Sequence, residues 1–130
     1  MVVSNLSMDN YKNFNHIKIH TQYSICEGAL RINDLAEFCK KNKIKCVGLS
    51  DTTNLCGALE FSENLSKIGT QPIIGTQVNF KFADQIGLLP LIATSEESYK
   101  SIIEMSSNSY LKNDGMSEPH CNFKDLTAIS

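Results

Sequence analysis

At 130 residues, with 42% apolar and 20% charged positions, the chain has the composition of one soluble globular domain and enough length to bury a core. A net charge of -2 and a pI near 5.9 give no electrostatic footprint for autonomous binding to nucleic acid or to an anionic membrane. No apolar run approaches the ~20 residues that span a bilayer, and residues 1–13 lack the apolar stretch of a secretory leader, so no membrane partner and a cytoplasmic location are expected.

Residues 1–13 read as a disordered lead-in. A short strand is predicted over residues 15–19. After a loop containing Gly28, a helix follows from Ile32 to Asn42, with Leu35, Ala36, Phe38 and Cys39 on one stripe and Asn33 as its N-cap. Lys40, Lys41, Lys43 and Lys45 form the only basic concentration and read as the solvated end of that helix, where cations complement the dipole. The run Cys46-Val47-Gly48-Leu49 predicts a buried strand. Asn54 then opens a second helix, with Ala58, Phe61, Leu65 and Ile68 at helical spacing until Gly69 stops it.

A third strand is predicted from Pro72 to about Phe82, then a turn around Asp84 and Gly87, and a fourth strand from Leu88 to Ala93. Ser95 caps a third helix that carries Glu96 and Glu97 in its first turn and Tyr99, Ile102 and Ile103 on one face. Residues 108–122 read as a loop turning at Asn113-Asp114-Gly115, and residues 123–129 as the start of another helix. Apolar strands alternating with amphipathic helices predict an α/β fold built on a parallel sheet, open or closed into a barrel. A βα array that stops on a helix reads as truncated.

The five cysteines are odd in number and share no CxxC spacing, so Cys26, Cys39, Cys46, Cys56 and Cys121 are expected to be reduced core residues. Cys26 and Cys56 are conceivable nucleophiles, but neither has a base evident in the sequence, and core packing is preferred. His120, beside Pro119, reads as a surface residue. No GxSxG, HExxH or GxxxxGK[ST] pattern is present.

Loops after the carboxyl ends of parallel strands build the sites of such folds, and two polar clusters lie there. His16, Lys18 and His20 alternate along an extended segment and share one face, with Glu27 in the following loop; Asp51 and Thr52 end the second strand, and Gln77 lies on the third. Two imidazoles and a carboxylate would suit a transition metal, but they need further ligands. Lys18 would repel the ion, and Thr52 and Gln77 are neutral oxygens that ligate zinc or manganese poorly.

The blocks Phe14-Asn15-His16-Ile17-Lys18-Ile19-His20-Thr21-Gln22-Tyr23-Ser24, Glu27-Gly28-Ala29-Leu30, Gly48-Leu49-Ser50-Asp51-Thr52-Thr53-Asn54-Leu55-Cys56-Gly57 and Gln71-Pro72-Ile73-Ile74-Gly75 occur in a fixed order. Together they resemble the PHP (polymerase and histidinol phosphatase) domain family, in the form that opens bacterial DNA polymerase III alpha subunits. The resemblance runs over residues 14–130. It implies a PHP-type distorted (β/α)7 barrel of which only the N-terminal part, about four β/α units, is present, truncated before closure.

Active members of the family hold a metal cluster at the strand ends and hydrolyse phosphoesters through a metal-activated water. Their first motif, His-x-His, falls on Lys18 and His20; Thr52 replaces the histidine of their Asp-His-Gly-Asn motif; Gln77 replaces a glutamate. His20 and Asp51 remain, and Glu27 stands where an aspartate is usual. No functional metal and no catalytic or cofactor-binding residue are therefore expected here. The resemblance implies a scaffold or docking module for a proofreading exonuclease subunit, with the sliding clamp and clamp loader as further partners of the whole polymerase. Its DNA contacts and Mg2+-dependent nucleotidyltransferase chemistry would lie in parts of the chain beyond these residues. The alternative from another class is a free-standing metal-dependent phosphoesterase.

Overall fold

The fold is described from a computed structural model, in which residues 14–112 and 120–122 are placed. Ile32, Leu35, Ala36 and Cys39 recur at helical spacing, and burying that stripe makes α1 (Ile32–Asn42). Phe38, expected on the stripe, is 54% exposed instead. The N-cap is Arg31, in extended conformation and without a side-chain cap bond. Asn33 lies inside the first turn and accepts from Asn64 Nδ2 at 3.2 Å. Lys40 and Lys41 occupy the last turn as expected, and Lys43 ends the helix in the left-handed region.

Strand β1 (Cys46–Gly48) leads through Leu49 and Ser50 into β2 (Asp51–Thr52). Helix α2 (Ala58–Lys67) starts four residues after Asn54, with Gly57 at its N-cap, and buries Ala58, Phe61 and Leu65 against α1 and β1. Asn54 instead builds the turn before the helix: its Nδ2 donates to the carbonyls of Tyr23 and Thr52, and its Oδ1 accepts from Cys56 N, all at 3.0 Å. Gly69, at φ 79°, supplies the left-handed residue that stops α2. Each fully buried apolar side chain of this core contributes about 1.5–3 kcal/mol.

The third strand divides at Ile74 into β3 (Gln71–Ile73) and β4 (Gly75–Phe82). β3 pairs parallel with β1 from Cys46↔Gln71, and β4 pairs parallel with β2 through Asp51↔Thr76 and Thr52↔Gln77. The register is the same on both sides of the break, so residues 46–52 and 71–77 behave as one parallel pair.

Strand β5 (Gln85–Ile92) departs from the expectation. It pairs antiparallel with β4 across a two-residue turn at Ala83 and Asp84, with Ala83 at φ 53°, and the sheet is therefore mixed. Among the described strands β5 lies at the sheet edge, with Ile86, Leu88, Leu89 and Ile92 between 37% and 46% exposed. Helix α3 (Glu96–Leu111) begins at Ser95 in a reciprocal capping box with Ser98. It continues past Asn108, where a loop was expected, and its buried residues are Ile102, Met105 and Ser109, with Ile103 41% exposed. β6 (Cys121–Asn122) then pairs parallel with β4 within the segment read as loop. The expected lead-in at residues 1–13, the turn at residues 113–115 and the helix at residues 123–129 fall outside the described residues.

Residues 15–19 form no regular strand. They run beside β1 through a single parallel bridge, Ile19↔Leu49, and three backbone bonds: Gly48 N to His16 O at 2.7 Å, Ile19 N to Gly48 O at 3.1 Å, and Ser50 N to Ile19 O at 2.8 Å. The architecture is thus mixed α/β, with parallel pairs and an antiparallel hairpin. The described strands do not close into a seven-stranded barrel, nor do they repeat as four simple β/α units.

A methyl group on Gly48 would sit 2.7 Å from the backbone of Ile17. Gly48→Ala is expected to push residues 16–18 away from β1 and to lower stability by about 1–3 kcal/mol, seen as a lower denaturant midpoint at unchanged slope.

Candidate functional site

A carboxylate removed from water must find donors for its charge. Asp51 has no exposed surface. Its Oδ1 accepts from Thr21 N at 2.6 Å and Ser24 Oγ at 2.8 Å, and its Oδ2 accepts from Thr21 Oγ1 at 2.7 Å. Its backbone carbonyl accepts from Thr76 Oγ1 at 2.6 Å. With both oxygens occupied, Asp51 ties residues 21–24 to β2 and β2 to β4.

Thr52, the next residue, serves the rim of the same site. Its N–H donates to Ser24 Oγ at 3.1 Å, its hydroxyl donates to Glu27 Oε2, and the hydroxyl oxygen accepts from Gln77 Nε2 at 3.0 Å. His20 Nδ1 lies 3.6 Å from Glu27 Oε2 and 3.4 Å from Ser24 Oγ. Four of the predicted positions, His20, Glu27, Thr52 and Gln77, are thus joined in one chain of polar contacts. Gln77 is 2% exposed, and its Oε1 finds no hydrogen-bond partner among the described residues; the same holds for the buried Ser50 Oγ.

Lys18 and His16 are exposed and take no part in this chain of contacts. His16 packs edge-on against Phe14, with ring centroids 4.7 Å apart. His120 is half-buried just ahead of β6. None of the five cysteines is in a disulfide; Cys39 and Cys121 are buried as expected, whereas Cys26 and Cys56 are exposed rather than packed in the core. Burial pushes the Cys39 thiol above its usual range.

Sequence reasoning missed the partners that organise the site. Thr21 and Ser24, three residues apart just after the His20 motif, are its inner donors, and their joint burial has no periodic signature. It also missed Tyr23, whose hydroxyl donates to Glu60 Oε2 at 2.8 Å and whose ring lies where a Cβ on Gly57 would fall, 2.7 Å away. The bond to Glu60 holds the Tyr23 phenol above its ordinary value.

Among the described residues no group of three or more His, Cys, Asp or Glu side chains gathers in a metal-holding arrangement. The residues present do not fit a metal cluster. Asp51 has both oxygens committed to donors, Thr52 spends its hydroxyl hydrogen on the one carboxylate that remains, Glu27, and Gln77 presents a neutral amide. No described helix is long and apolar enough to cross a membrane.

The profile of the PHP domain family matches residues 16–130. The chain is 38% identical over 114 residues to the DNA polymerase III subunit alpha of Rickettsia felis, covering 87% of this chain and 9% of that protein. Against the DNA polymerase III subunit alpha of Haemophilus influenzae it is 31% identical over 106 residues, covering 79% and 9%. The chain therefore spans 9% of the length of these two relatives. A crystal structure from Bifidobacterium adolescentis, assigned as a metal-dependent phosphoesterase, superimposes with a TM-score of 0.58 at 22% identity, over 73% of this chain and 32% of that one. At that identity the likeness speaks for the fold alone.

Asp51→Ala would strand three donors inside the protein, and at about 1–3 kcal/mol for each unsatisfied buried group it is expected to cost about 3–5 kcal/mol, read as a lowered melting temperature. Tyr23 offers a check against pH. Because its folded pKa is raised above 10.0, the stabilisation is complete below that pH and is lost as pH rises through the folded value. Tyr23→Phe should remove this alkaline component of the stability profile.

Proposed function

This chain belongs to the PHP domain family, and from that premise we propose that it is the N-terminal PHP segment of a DNA polymerase III alpha subunit, acting as a scaffold and docking module rather than as a hydrolase. The observation that carries this reading is the chain of contacts from Gln77 through Thr52 to Glu27. Hydrogen bonds between neutral and singly charged side chains occupy the positions where active members of the family place metal ligands. Support for the polymerase assignment comes from the relatives, which are alpha subunits at 31–38% identity.

In this reading the remainder of the polypeptide completes the barrel, supplies the Mg2+-dependent DNA-directed nucleotidyl transfer and contacts DNA. The docked partner is the proofreading exonuclease subunit, and the whole polymerase works with the sliding clamp and clamp loader in the cytoplasm. The fold likeness to the Bifidobacterium protein keeps one alternative, a free-standing metal-dependent phosphoesterase. The side chains oppose it, since a metal cluster depends on carboxylate charge and imidazole nitrogen donors that Lys18, Thr52 and Gln77 do not provide.

Two measurements test the proposal on the full alpha chain purified without a histidine tag. Elemental mass spectrometry should find metal far below one ion per chain at this site, and the chain should co-elute with the exonuclease subunit. Stoichiometric tightly held metal together with hydrolysis of a model phosphoester would establish the alternative instead. The triple variant Lys18→His, Thr52→His and Gln77→Glu restores the missing ligand types and is expected to gain stoichiometric zinc or manganese. Failure to gain metal would show that the positions no longer converge as ligands.

A further inference from the structure

Three segments distant in sequence meet at one hydroxyl: the loop that carries Glu27, strand β2 through Thr52, and strand β4 through Gln77. The loop has little packing to hold it. Ile25 is 87% exposed, Cys26 and Glu27 are exposed, and Cys26 stands at φ 66°, so apolar burial is not what fixes residues 25–27. Polar contacts do that work: Glu27 N and Gly28 N donate to Ser24 O, Asp51 holds the Ser24 hydroxyl, and Thr52 holds the Glu27 side chain.

The direction of the chain of bonds is determined. A hydroxyl has one hydrogen, and Thr52 donates it to the Glu27 carboxylate, so Gln77 must present its amide N–H to the Thr52 oxygen. The reversed amide would set two acceptors against each other. The consequence is visible on the far side of Gln77, where the buried Oε1 finds no partner among the described residues. All the bonds run toward the carboxylate, which is the arrangement in which hydrogen bonds reinforce one another and in which the charged end is the strong one.

We propose that Thr52 is the positioning residue of a metal-free clamp, its hydroxyl holding the 24–28 loop against the ends of β2 and β4 so that the order of this rim needs no bound cation. The inference rests on the metal-free reading of the site given above. Thr52 grips the loop twice, through its N–H at Ser24 and through its hydroxyl at Glu27, and only the second grip depends on the side chain.

Amide hydrogen exchange on the full chain in excess EDTA tests the clamp. The probes are Glu27 and Gly28, whose N–H groups donate to Ser24 O at 3.1 and 2.9 Å. Thr52→Val removes the hydroxyl at nearly constant volume and should speed exchange at these two amides about tenfold, the effect of losing one hydrogen bond to a charged acceptor. Amides of α2 should be unchanged. Thr52→Ser should restore the slow rate, and Glu27→Ala, at an exposed position, should reproduce the acceleration even if the valine variant folds poorly. Unchanged loop exchange in Thr52→Val and Glu27→Ala would overturn the clamp, as would equal acceleration across the whole chain, and both outcomes leave the metal-free reading intact. If EDTA alone sped up loop exchange in the unaltered protein, an ion would be holding the loop, and the clamp and the metal-free reading would fall together.

Discussion

The buried carboxylate of Asp51 is the constraint from which the rest of the site follows. With no exposed surface, its charge is tolerable only because Thr21 and Ser24 place three donors on it. That requirement fixes where residues 21–24 lie, although the segment just before them is tied to β1 by a single bridge and a few backbone bonds. Ser24 Oγ, having given its hydrogen to Asp51, is left as an acceptor for Thr52 N, which in turn orients Thr52 toward Glu27 and Gln77. Removal of one carboxylate would therefore loosen residues 21–24, the loop and the polar chain together.

Much of the fold was legible because its signals are periodic. The stripe of Leu35, Ala36 and Cys39, the helical spacing of Ala58, Phe61 and Leu65, and the hydroxyl cap at Ser95 each force a local structure with few alternatives, and α1, α2 and the start of α3 formed where they indicated. The convergence of His20, Glu27, Thr52 and Gln77 was legible through motif order. Thr21, Ser24 and Tyr23 were not, because an inner donor is defined by what it touches across 27 to 37 residues of sequence separation.

Strand β5 shows why the sheet was misread. An apolar run such as Ile86 to Ile92 has the same pattern whether it is a buried parallel strand or an exposed edge. Pro90 was the available signal. Gln77, opposite Pro90, gives its carbonyl to Thr53 N on the β2 side, so the Gln77↔Pro90 pair exchanges no bonds and the proline nitrogen faces the open edge. A central strand would lose a ladder bond at that position, whereas an edge loses nothing and is blunted as a template for further pairing. The end of α3 failed for a different reason. Asn108 and Ser109 look like the start of a loop, yet Ser109 Oγ donates to Ser106 O at 2.7 Å, which satisfies it inside the helix.

Charge placement explains how a site lined by neutral side chains is a stable part of the fold. The buried rim positions are neutral: Gln77 is 2% exposed, and the half-buried Thr52 carries no charge. The charged or chargeable ones lie near water, with Glu27 47% and His20 24% exposed along their side chains and Lys18 at the surface. A glutamate at position 77 would be a second carboxylate deep in the site without the donors that Asp51 commands, and would need a cation to remain ionised. Changing one position alone would thus leave either an unpaired buried charge or an unpaired donor. Thr52 and Gln77 work as a pair, because a hydroxyl at 52 can both accept a hydrogen bond from the amide at 77 and donate its own hydrogen to Glu27.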